Sequence, residues 1–331
     1  MRLIPTLLIL LATAGLVPPT LAAEEASPTS PRIRLLRDDT QGQLRVMIDG
    51  QEAIVYRYGQ ELDLVHYYPV RSPSGRSMTV QQTEPFPHHR SFWFGDKVQL
   101  KGQRPASFYS PFLSRENSKA PQSPFKDRVR HVAFIPAKLP ENAAVVRCKI
   151  VWEMDRQIAV IEELRELRIV PLDGGQYLLD LTFTLSAPAG DVAFLSDWVH
   201  YAWPFVRMNK TFSGEGGGTI TNSEGATGQQ GTNGQVADGK AAKWVDYSNT
   251  VQGKTEGLAI FSHPQNGHPH GWLTREYGCF GPRRPDGQSG KPFTLHKGES
   301  LRQRVGVFVH SGDVRSGKVA EHYAQYAAGG L

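Results

Sequence analysis

Two short segments, far apart in the chain, hold a concentration of residues that can move protons or bind polar ligands. Residues 84–96 read EPFPHHRSFWFGD, and residues 263–282 read HPQNGHPHGWLTREYGCFGP. Histidine gains or loses a proton near neutral pH, arginine binds carboxylates or hydroxyls through its planar fork, and tryptophan offers a flat face to a sugar ring. We therefore predict that the fold brings both segments together in a polar cleft with aromatic walls.

The first segment supplies three candidate catalytic residues, His88, His89 and Asp96. Adjacent residues of an extended chain point to opposite sides, so we expect only one of His88 and His89 to face the cleft. Asp96 could act as a general acid or base if burial shifts its pKa. Arg90 is expected to hold the substrate and Trp93 to stack on it. The alternative is that these side chains only bond to nearby loop carbonyls.

The second segment adds His270 as a fourth catalytic candidate, in a stretch whose prolines stiffen the backbone. Trp272 then offers an apolar platform for a sugar ring. At strand spacing, Arg275 and Tyr277 share one face and are expected to contact the substrate, while Glu276 points away. Glu276 is therefore predicted to be an ion-pair partner rather than an acid catalyst.

A metal site is the less favoured interpretation of these histidines. His268 and His270, with His88 or His89, could supply three nitrogen ligands, as in many catalytic zinc sites. Their spacing matches no specific metal signature, and the sequence contains neither GxSxG nor HExxH, which weakens the case for the common hydrolase chemistries. We predict no cofactor and keep a bound metal as the alternative.

The beginning of the chain predicts export. A basic residue precedes an apolar run over residues 3–17, and small residues follow. This pattern is typical of a cleaved signal peptide, and the run is too short for a comfortable membrane span. We expect a signal peptide over residues 1–23, a flexible lead-in over residues 24–32, and a periplasmic or secreted bacterial protein.

Charge and cysteine content narrow the class of protein further. The net charge of +5 is small and its basic residues are interspersed with acids, which argues against nucleic-acid binding. Two cysteines, Cys148 and Cys279, do not form a disulfide framework. Cys148 alternates with apolar neighbours, so we expect a buried free thiol there, with a disulfide as the alternative.

Alternating apolar and polar residues dominate the rest of the chain and predict an all-β fold. Tyr177, Leu179, Leu181, Phe183 and Leu185 line one face of a strand, and the last long strand repeats this pattern. That last strand is expected at 301–309, and shorter strands at 33–37, 43–48, 52–57, 129–134, 144–152, 219–222, 243–247 and 257–262.

Two further segments decide the fold class. Residues 158–170 contain good helix formers, but their neighbours are strand-like, and we interpret the segment as one long strand. A single helix is predicted near the C-terminus, capped by Asp313, with Val319, Tyr323 and Tyr326 on one face. Many strands without a βαβ rhythm favour one large antiparallel β-sandwich over residues 33–331, with this short C-terminal helix.

Four stretches of the sequence together resemble a known bacterial family. They are HHRSFWFGD at 88–96, the segments 220–248 and 257–280, and LHKGESLRQRVGVFVHSGD at 295–313. Over most of its length the chain resembles the PmoA-like family, a domain of unknown function named after the methane oxygenase PmoA. The last stretch is also similar to the closing strands of galactose-mutarotase-like supersandwiches. That resemblance implies a supersandwich that handles sugars, as epimerases, lyases and hydrolases of this fold do.

The resemblance extends the set of candidate binding residues. Where relatives tend to show Asn-Pro-Phe, this chain has Gly281-Pro282-Arg283. The positions that match the family's motifs are His88, His89, Arg90, Trp93, Gly239, Lys240, Trp244, Asp246, His263, Pro264, Trp272, Arg275, Tyr277 and Gly278. From this set, Lys240, Trp244, Asp246 and His263 join Arg90, Trp93, Trp272, Arg275 and Tyr277 as candidate substrate-binding residues.

The leading hypothesis is an enzyme that acts on a carbohydrate or glycoside, with His89 or His270 as the general acid or base. Hydrolysis, elimination and epimerisation are all open at this point. Two alternatives belong to other classes: a non-catalytic carbohydrate-binding protein, and a metal-dependent oxidoreductase as the family's name implies. The expected partner is a small molecule or an oligosaccharide, and neither nucleic acid nor a membrane span is expected.

Overall fold

Strands make up most of the fold. The computed structural model describes residues 32–110, 124–137, 143–196, 201–231, 237–267, 271–284 and 293–331. Within these ranges there are twenty strands and one α-helix, α1 (Val319–Ala327). The strands are β1 (Ile33–Asp38), β2 (Gln43–Ile48), β3 (Gln51–Arg57), β4 (His66–Val70), β5 (Phe92–Trp93), β6 (Lys97–Leu100), β7 (Pro105–Ser107), β8 (Arg128–Ile135), β9 (Ala144–Met154), β10 (Ile158–Pro171), β11 (Tyr177–Ser186), β12 (Val192–Phe194), β13 (Phe205–Arg207), β14 (Thr219–Asn222), β15 (Trp244–Val251), β16 (Lys254–Ser262), β17 (Trp272–Thr274), β18 (Cys279–Pro282), β19 (Phe293–Leu295) and β20 (Ser300–Ser311).

The strands form two large sheets and one small one. The first large sheet has the order β1-β2-β3-β4-β5-β13-β18-β17, and the second has the order β14-β15-β16-β20-β11-β10-β9-β8. The small sheet has the order β19-β12-β6-β7. All paired strands in these sheets run antiparallel. The prediction of an all-β antiparallel fold with a short C-terminal helix is confirmed.

The two large sheets pack face to face over one apolar core. Tyr247 on β15 packs on Phe280 of β18 with ring centroids 4.2 Å apart. Tyr177 on β11 reaches the first sheet, where its hydroxyl donates to the Ala53 carbonyl at 3.1 Å. The alternating apolar residues that predict β11 all lie in this core, because successive side chains of a strand point to opposite faces.

The outer face of β11, β16 and β20 is covered by α1. Tyr326 packs on Phe261 with ring centroids 5.7 Å apart, and Leu178 is buried in the same small cluster. The predicted apolar face of the helix is therefore confirmed. The predicted cap is wrong: the helix begins after Lys318, without a side-chain cap. The Asp313 carboxylate accepts backbone N–H bonds within the preceding turn instead.

The segment with good helix formers is strand β10, as predicted. It pairs along its length with β9 and β11, so ladder hydrogen bonds and packing on both sides override its local helix propensity. Its outer face carries ion pairs such as Lys149 with Glu162 at 3.1 Å. The inner face buries Glu163 and Arg165, which pair at 2.6 Å.

The fold can also be compared with the predictions for the domain, the cysteines and the membrane. Residues 32–331 form one compact unit. Cys148 and Cys279 are both buried and free, which confirms the predicted thiol. None of the helices in the described ranges is long and apolar enough to cross a bilayer. The predicted signal peptide and most of the lead-in lie outside the described residues, so export stays a prediction.

Candidate functional site

The first histidine segment forms a turn rather than an extended strand. The His89 N–H donates to the Phe86 carbonyl at 2.9 Å, and Thr83 bridges to Phe86 just before it. This turn brings the rings of His88 and His89 together, with centroids 4.6 Å apart. The prediction that only one of them faces the cleft assumes an extended backbone, which this turn replaces, so which of the two faces a ligand stays a prediction. Trp93 follows on β5, with its ring 5.3 Å from that of His89.

The second segment reaches the same place through Tyr277. The Tyr277 ring lies 4.8 Å from that of Phe86 and 6.3 Å from that of His89, measured between centroids. Tyr277 lies in the connection between β17 and β18, where the Gly278 N–H donates to the Arg275 carbonyl at 2.8 Å. Residues 275–278 are thus a turn, and the predicted strand spacing of Arg275 and Tyr277 is wrong.

Two residues that the sequence reasoning missed complete the site. The Tyr109 hydroxyl lies 2.9 Å from His89 Nε2. The Arg207 guanidinium, at the end of β13, lies over the Tyr277 ring at 4.4 Å and donates to the Tyr277 carbonyl. Neither residue belongs to a recognisable motif, and only the strand order of the first sheet brings β13 beside β5 and β18.

We call this set the His89 cluster. Its members come from four separate parts of the chain and surround a floor made by Trp93 and Phe205, whose rings stack at 4.8 Å. Phe86, His88, Tyr109 and Tyr277 are partly exposed, whereas His89 and Arg207 are buried. The His89 cluster consists of Phe86, His88, His89, Tyr109, Arg207 and Tyr277.

Three buried polar atoms without a hydrogen-bond partner lie at this cluster and its floor. Within the described part of the chain, His89 Nδ1, Trp93 Nε1 and Arg207 Nε are buried and make no hydrogen bond. Buried polar groups in folded proteins nearly always have a partner in protein or ordered water. Three unsatisfied groups on neighbouring side chains therefore indicate a place where a polar ligand or water binds.

Burial sets the protonation states of the central pair. It lowers the pKa of His89 well below 6.5, and the nearby charges of His88, Arg207 and Arg90 lower it further. His89 is thus neutral at pH 7 and able to accept a proton. Burial raises the pKa of Tyr109 well above 10, so its phenol keeps its proton. A neutral base and a protonated acid therefore stand in hydrogen-bond contact.

Asp96 and Arg90 lie behind the cluster rather than in it. Asp96 is fully buried and accepts hydrogen bonds from Trp203 Nε1 at 2.6 Å and Ser196 Oγ at 3.0 Å. Burial raises the pKa of its carboxyl to about 6. Its main-chain carbonyl accepts the Tyr109 N–H at 3.2 Å, which holds the backbone of Tyr109 in place. Arg90 pairs with the buried Asp63 at 3.0 Å.

The other candidates of the second segment that the structure describes form ion pairs or hydrogen bonds with residues outside the His89 cluster. Arg275 pairs with Asp238 at 2.5 Å. The Glu276 carboxylate accepts the Gln229 N–H at 2.7 Å. Trp272 is fully buried, and its indole N–H donates to the Ala242 carbonyl at 2.8 Å. His270 lies outside the described residues, so its catalytic role stays a prediction.

The candidates added by the family resemblance lie elsewhere. His263 caps a short 3₁₀ turn, where its Nδ1 accepts the Gln265 N–H, and its Nε2 lies 3.2 Å from Arg304 Nη1. Asp246 is fully buried, with Oδ1 2.8 Å from His310 Nε2.

Lys240 and Trp244 also stand apart from the His89 cluster. Lys240 is exposed, and its main chain pairs with that of Trp272 rather than with a cluster residue. Trp244 lines a separate cavity of about 650 Å³ beside the start of α1, together with Arg315 and Lys318. This cavity is a rival location for a ligand.

A metal centre finds no support in the described residues. No group of three or more histidine, cysteine, aspartate or glutamate side chains there is arranged to hold a metal ion. His268 and His270, which carry the metal alternative, are outside the described ranges.

Comparison with known proteins identifies the family. Residues 43–324 match the model of DUF6807, a family of unknown function, and the chain belongs to this family. The resemblance to the PmoA-like family stays a prediction. A search of curated proteins found no match to the chain.

Solved structures with a similar fold include sugar-active enzymes. GH36 α-galactosidase AgaB from Geobacillus stearothermophilus is 10% identical, with 86% of this chain and 42% of that chain covered at a TM-score of 0.45. An α-galactosidase from Lactobacillus brevis is 8% identical, with 84% and 39% covered and a TM-score of 0.42. Galactose 1-epimerase from Lactobacillus acidophilus is 7% identical, with 86% and 100% covered and a TM-score of 0.38. The chain spans less than half the length of the α-galactosidases, and TM-scores below 0.5 do not establish its activity.

Proposed function

We propose that this chain is an exported carbohydrate-active enzyme whose substrate binds at the His89 cluster. The observation that carries the proposal is the set of unpaired buried polar atoms on His89, Trp93 and Arg207 beside partly exposed aromatic rings. Sugars present both an apolar C–H face and a ring of hydroxyls. A site that combines aromatic faces with fixed hydrogen-bonding groups complements both features.

The aromatic members of the cluster would bind the apolar face of the sugar. Tyr277 and Phe86 are partly exposed and pack at 4.8 Å, which keeps both rings in a fixed orientation. The Arg207 guanidinium holds the Tyr277 main-chain carbonyl and so fixes the turn that presents this ring. A sugar on Tyr277 would have the imidazole of His89 within reach, since the two ring centroids lie 6.3 Å apart.

His89 and Tyr109 would perform the proton transfers. The neutral imidazole accepts a proton, and the phenol at 2.9 Å delivers one or passes it to the imidazole. General acid–base catalysis of this kind contributes roughly 10²- to 10⁴-fold to a rate. The pair suits any reaction that removes one proton and delivers another, which includes glycoside hydrolysis, elimination and epimerisation.

A turnover screen with paired variants tests the proposal. The purified chain is incubated with neutral and acidic polysaccharides, and products are followed by reducing-end assay, ultraviolet absorbance of new double bonds, and NMR. For the substrate found, His89→Ala and Tyr109→Phe should each lower kcat/KM by about 100-fold or more.

Matched controls separate catalysis from folding. Tyr58→Phe removes a hydroxyl that donates to Asp39 at 2.7 Å, outside the cluster, and His322→Ala removes an imidazole on α1. Both controls should retain most of the activity, and all four variants should be compared by melting temperature. Full activity in His89→Ala and Tyr109→Phe would overturn the acid–base assignment. Sugar binding without any turnover would instead favour a binding protein.

A further inference from the structure

Arg207 is a buried arginine whose charge is not balanced by an acidic side chain. Its side chain is buried, with the residue only 6% exposed. Nη1 donates to the Tyr277 carbonyl, and Nε makes no hydrogen bond. Among the described residues, no carboxylate forms an ion pair with Arg207. Glu215 acts on it electrostatically but is exposed and makes no ion pair with it.

Two other buried arginines of this fold are paired with a carboxylate. Arg165 contacts Glu163 at 2.6 Å, and Arg90 contacts Asp63 at 3.0 Å. Such pairing is expected, because removing a guanidinium from water without a counter-charge is strongly unfavourable. Arg207 departs from this pattern at the place where the ligand is proposed to bind, so the missing counter-charge is expected to come from the ligand.

The rest of the cluster also favours an anion. Burial is the largest cause of the lowered pKa of His89, and the positive charges of His88, Arg207 and Arg90 lower this pKa further. A guanidinium binds a carboxylate through two parallel hydrogen bonds, which neutral hydroxyls do not match in strength. Arg207 lies 4.4 Å from the Tyr277 ring, so a sugar ring on Tyr277 can place a carboxylate substituent within its reach.

We infer that the His89 cluster binds a carboxylate-bearing sugar, a uronic acid residue, with its carboxylate on Arg207. The inference rests on the proposed function and names its substrate class. The ring of the uronate would stack on the aromatic side chains, its carboxylate would neutralise Arg207, and a hydroxyl would satisfy the free nitrogen of His89.

Calorimetric titration with matched sugars tests this inference on the full-length mature protein. Each acidic oligosaccharide is compared with its neutral counterpart: galacturonate with galactose oligomers, mannuronate with mannose oligomers, and glucuronate-containing with glucose oligomers. In at least one pair the acidic member should bind about tenfold or more tightly, the gain expected of a charge-assisted bidentate contact. This preference should weaken as salt is added.

Variants then assign the preference to one side chain. Arg207→Gln should abolish the preference for the acidic sugar, and Arg207→Lys should restore part of it. Arg304→Gln is the control, since Arg304 pairs with Asp180 at 2.6 Å away from the cluster and should keep the preference. The wild-type comparison of acidic with neutral sugars needs no variant, so it tests the predicted uronate preference even if Arg207→Gln fails to fold, and Arg207→Lys then tests the assignment to Arg207.

The possible results separate this inference from the function on which it rests. If neutral oligosaccharides bind or turn over as well as acidic ones, the uronate assignment is wrong and the proposed function stands. If no sugar of either kind binds or reacts, both are wrong. An acidic preference that Arg207→Gln leaves unchanged would also overturn the assignment.

Discussion

Asp96 should make the stability of this protein fall as the pH rises. Burial raises the pKa of its carboxyl from 3.8 to about 6 in the folded state. The folded protein therefore holds this proton more tightly than the unfolded chain does. As the pH rises above 3.8 the unfolded chain releases the proton first, and the free energy of unfolding decreases until the pH exceeds about 6. At about 1.4 kcal/mol per pKa unit, the expected loss from this group is about 3 kcal/mol.

Urea denaturation of the wild type and of Asp96→Asn, over a series of pH values, measures this loss. The variant also changes the hydrogen bonds from Trp203 and Ser196, but that contribution does not depend on the titration of Asp96. Other titrating groups cancel in the difference between the two proteins. The free energy of unfolding of the wild type minus that of the variant should therefore fall by about 3 kcal/mol between about pH 3.5 and pH 7. A difference that is constant, or that rises with pH, would refute the reasoning.

Three further predictions concern His89, the two cysteines and Gly281 on β18. Because burial lowers the pKa of His89 well below 6.5, the acidic limb of the kcat/KM profile should lie below pH 6.5; a limb at or above that value would contradict the role of His89. Burial raises the pKa of Cys148 to about 11 and of Cys279 to about 12, so a thiol reagent at about pH 8 should label neither in the folded protein and both after denaturation. Gly281→Ala would place a Cβ 2.0 Å from the Pro204 carbonyl oxygen. This clash should lower the free energy of unfolding by about 1–3 kcal/mol, as measured by urea denaturation. An unchanged urea midpoint would contradict the prediction and show that β18 can shift to accept the methyl group.

The long strands were predictable because each of them records its environment in its own sequence, whereas short strands such as β6, β12 and β13 were not predicted. In β11 the alternation of apolar and polar residues indicates that one face of the strand packs on the core. Segment β10 contains helix formers, but its strand-like neighbours identify it as a strand. The start of α1 was not predictable in this way. Asp313 looks like a cap, yet its carboxylate is already used by the turn that precedes the helix.

The candidate site was only partly predictable, because it depends on contacts between distant segments. His88, His89 and Tyr277 stand out as residue types in two unusual segments, and the fold brings them together. Tyr109 and Arg207 carry no local signal. The strand order of the first sheet brings Arg207 to the site, and Tyr109 reaches it from the residues after β7, where its N–H donates to the Asp96 carbonyl.

Other polar candidates make structural contacts in the fold instead of belonging to the His89 cluster. Asp246 and His263 are held by His310 and Arg304, inside the second sheet and its edge. Residue type alone does not separate a buried structural contact from a ligand contact, because both use the same hydrogen-bonding groups.

A crystal structure of the protein with a bound uronate oligosaccharide tests the central claim most directly. The account predicts a sugar ring on Tyr277, a hydroxyl within hydrogen-bond distance of His89 Nδ1, and a carboxylate on Arg207. A sugar bound instead in the cavity of about 650 Å³ beside Trp244, with the His89 cluster filled only by water, would contradict it.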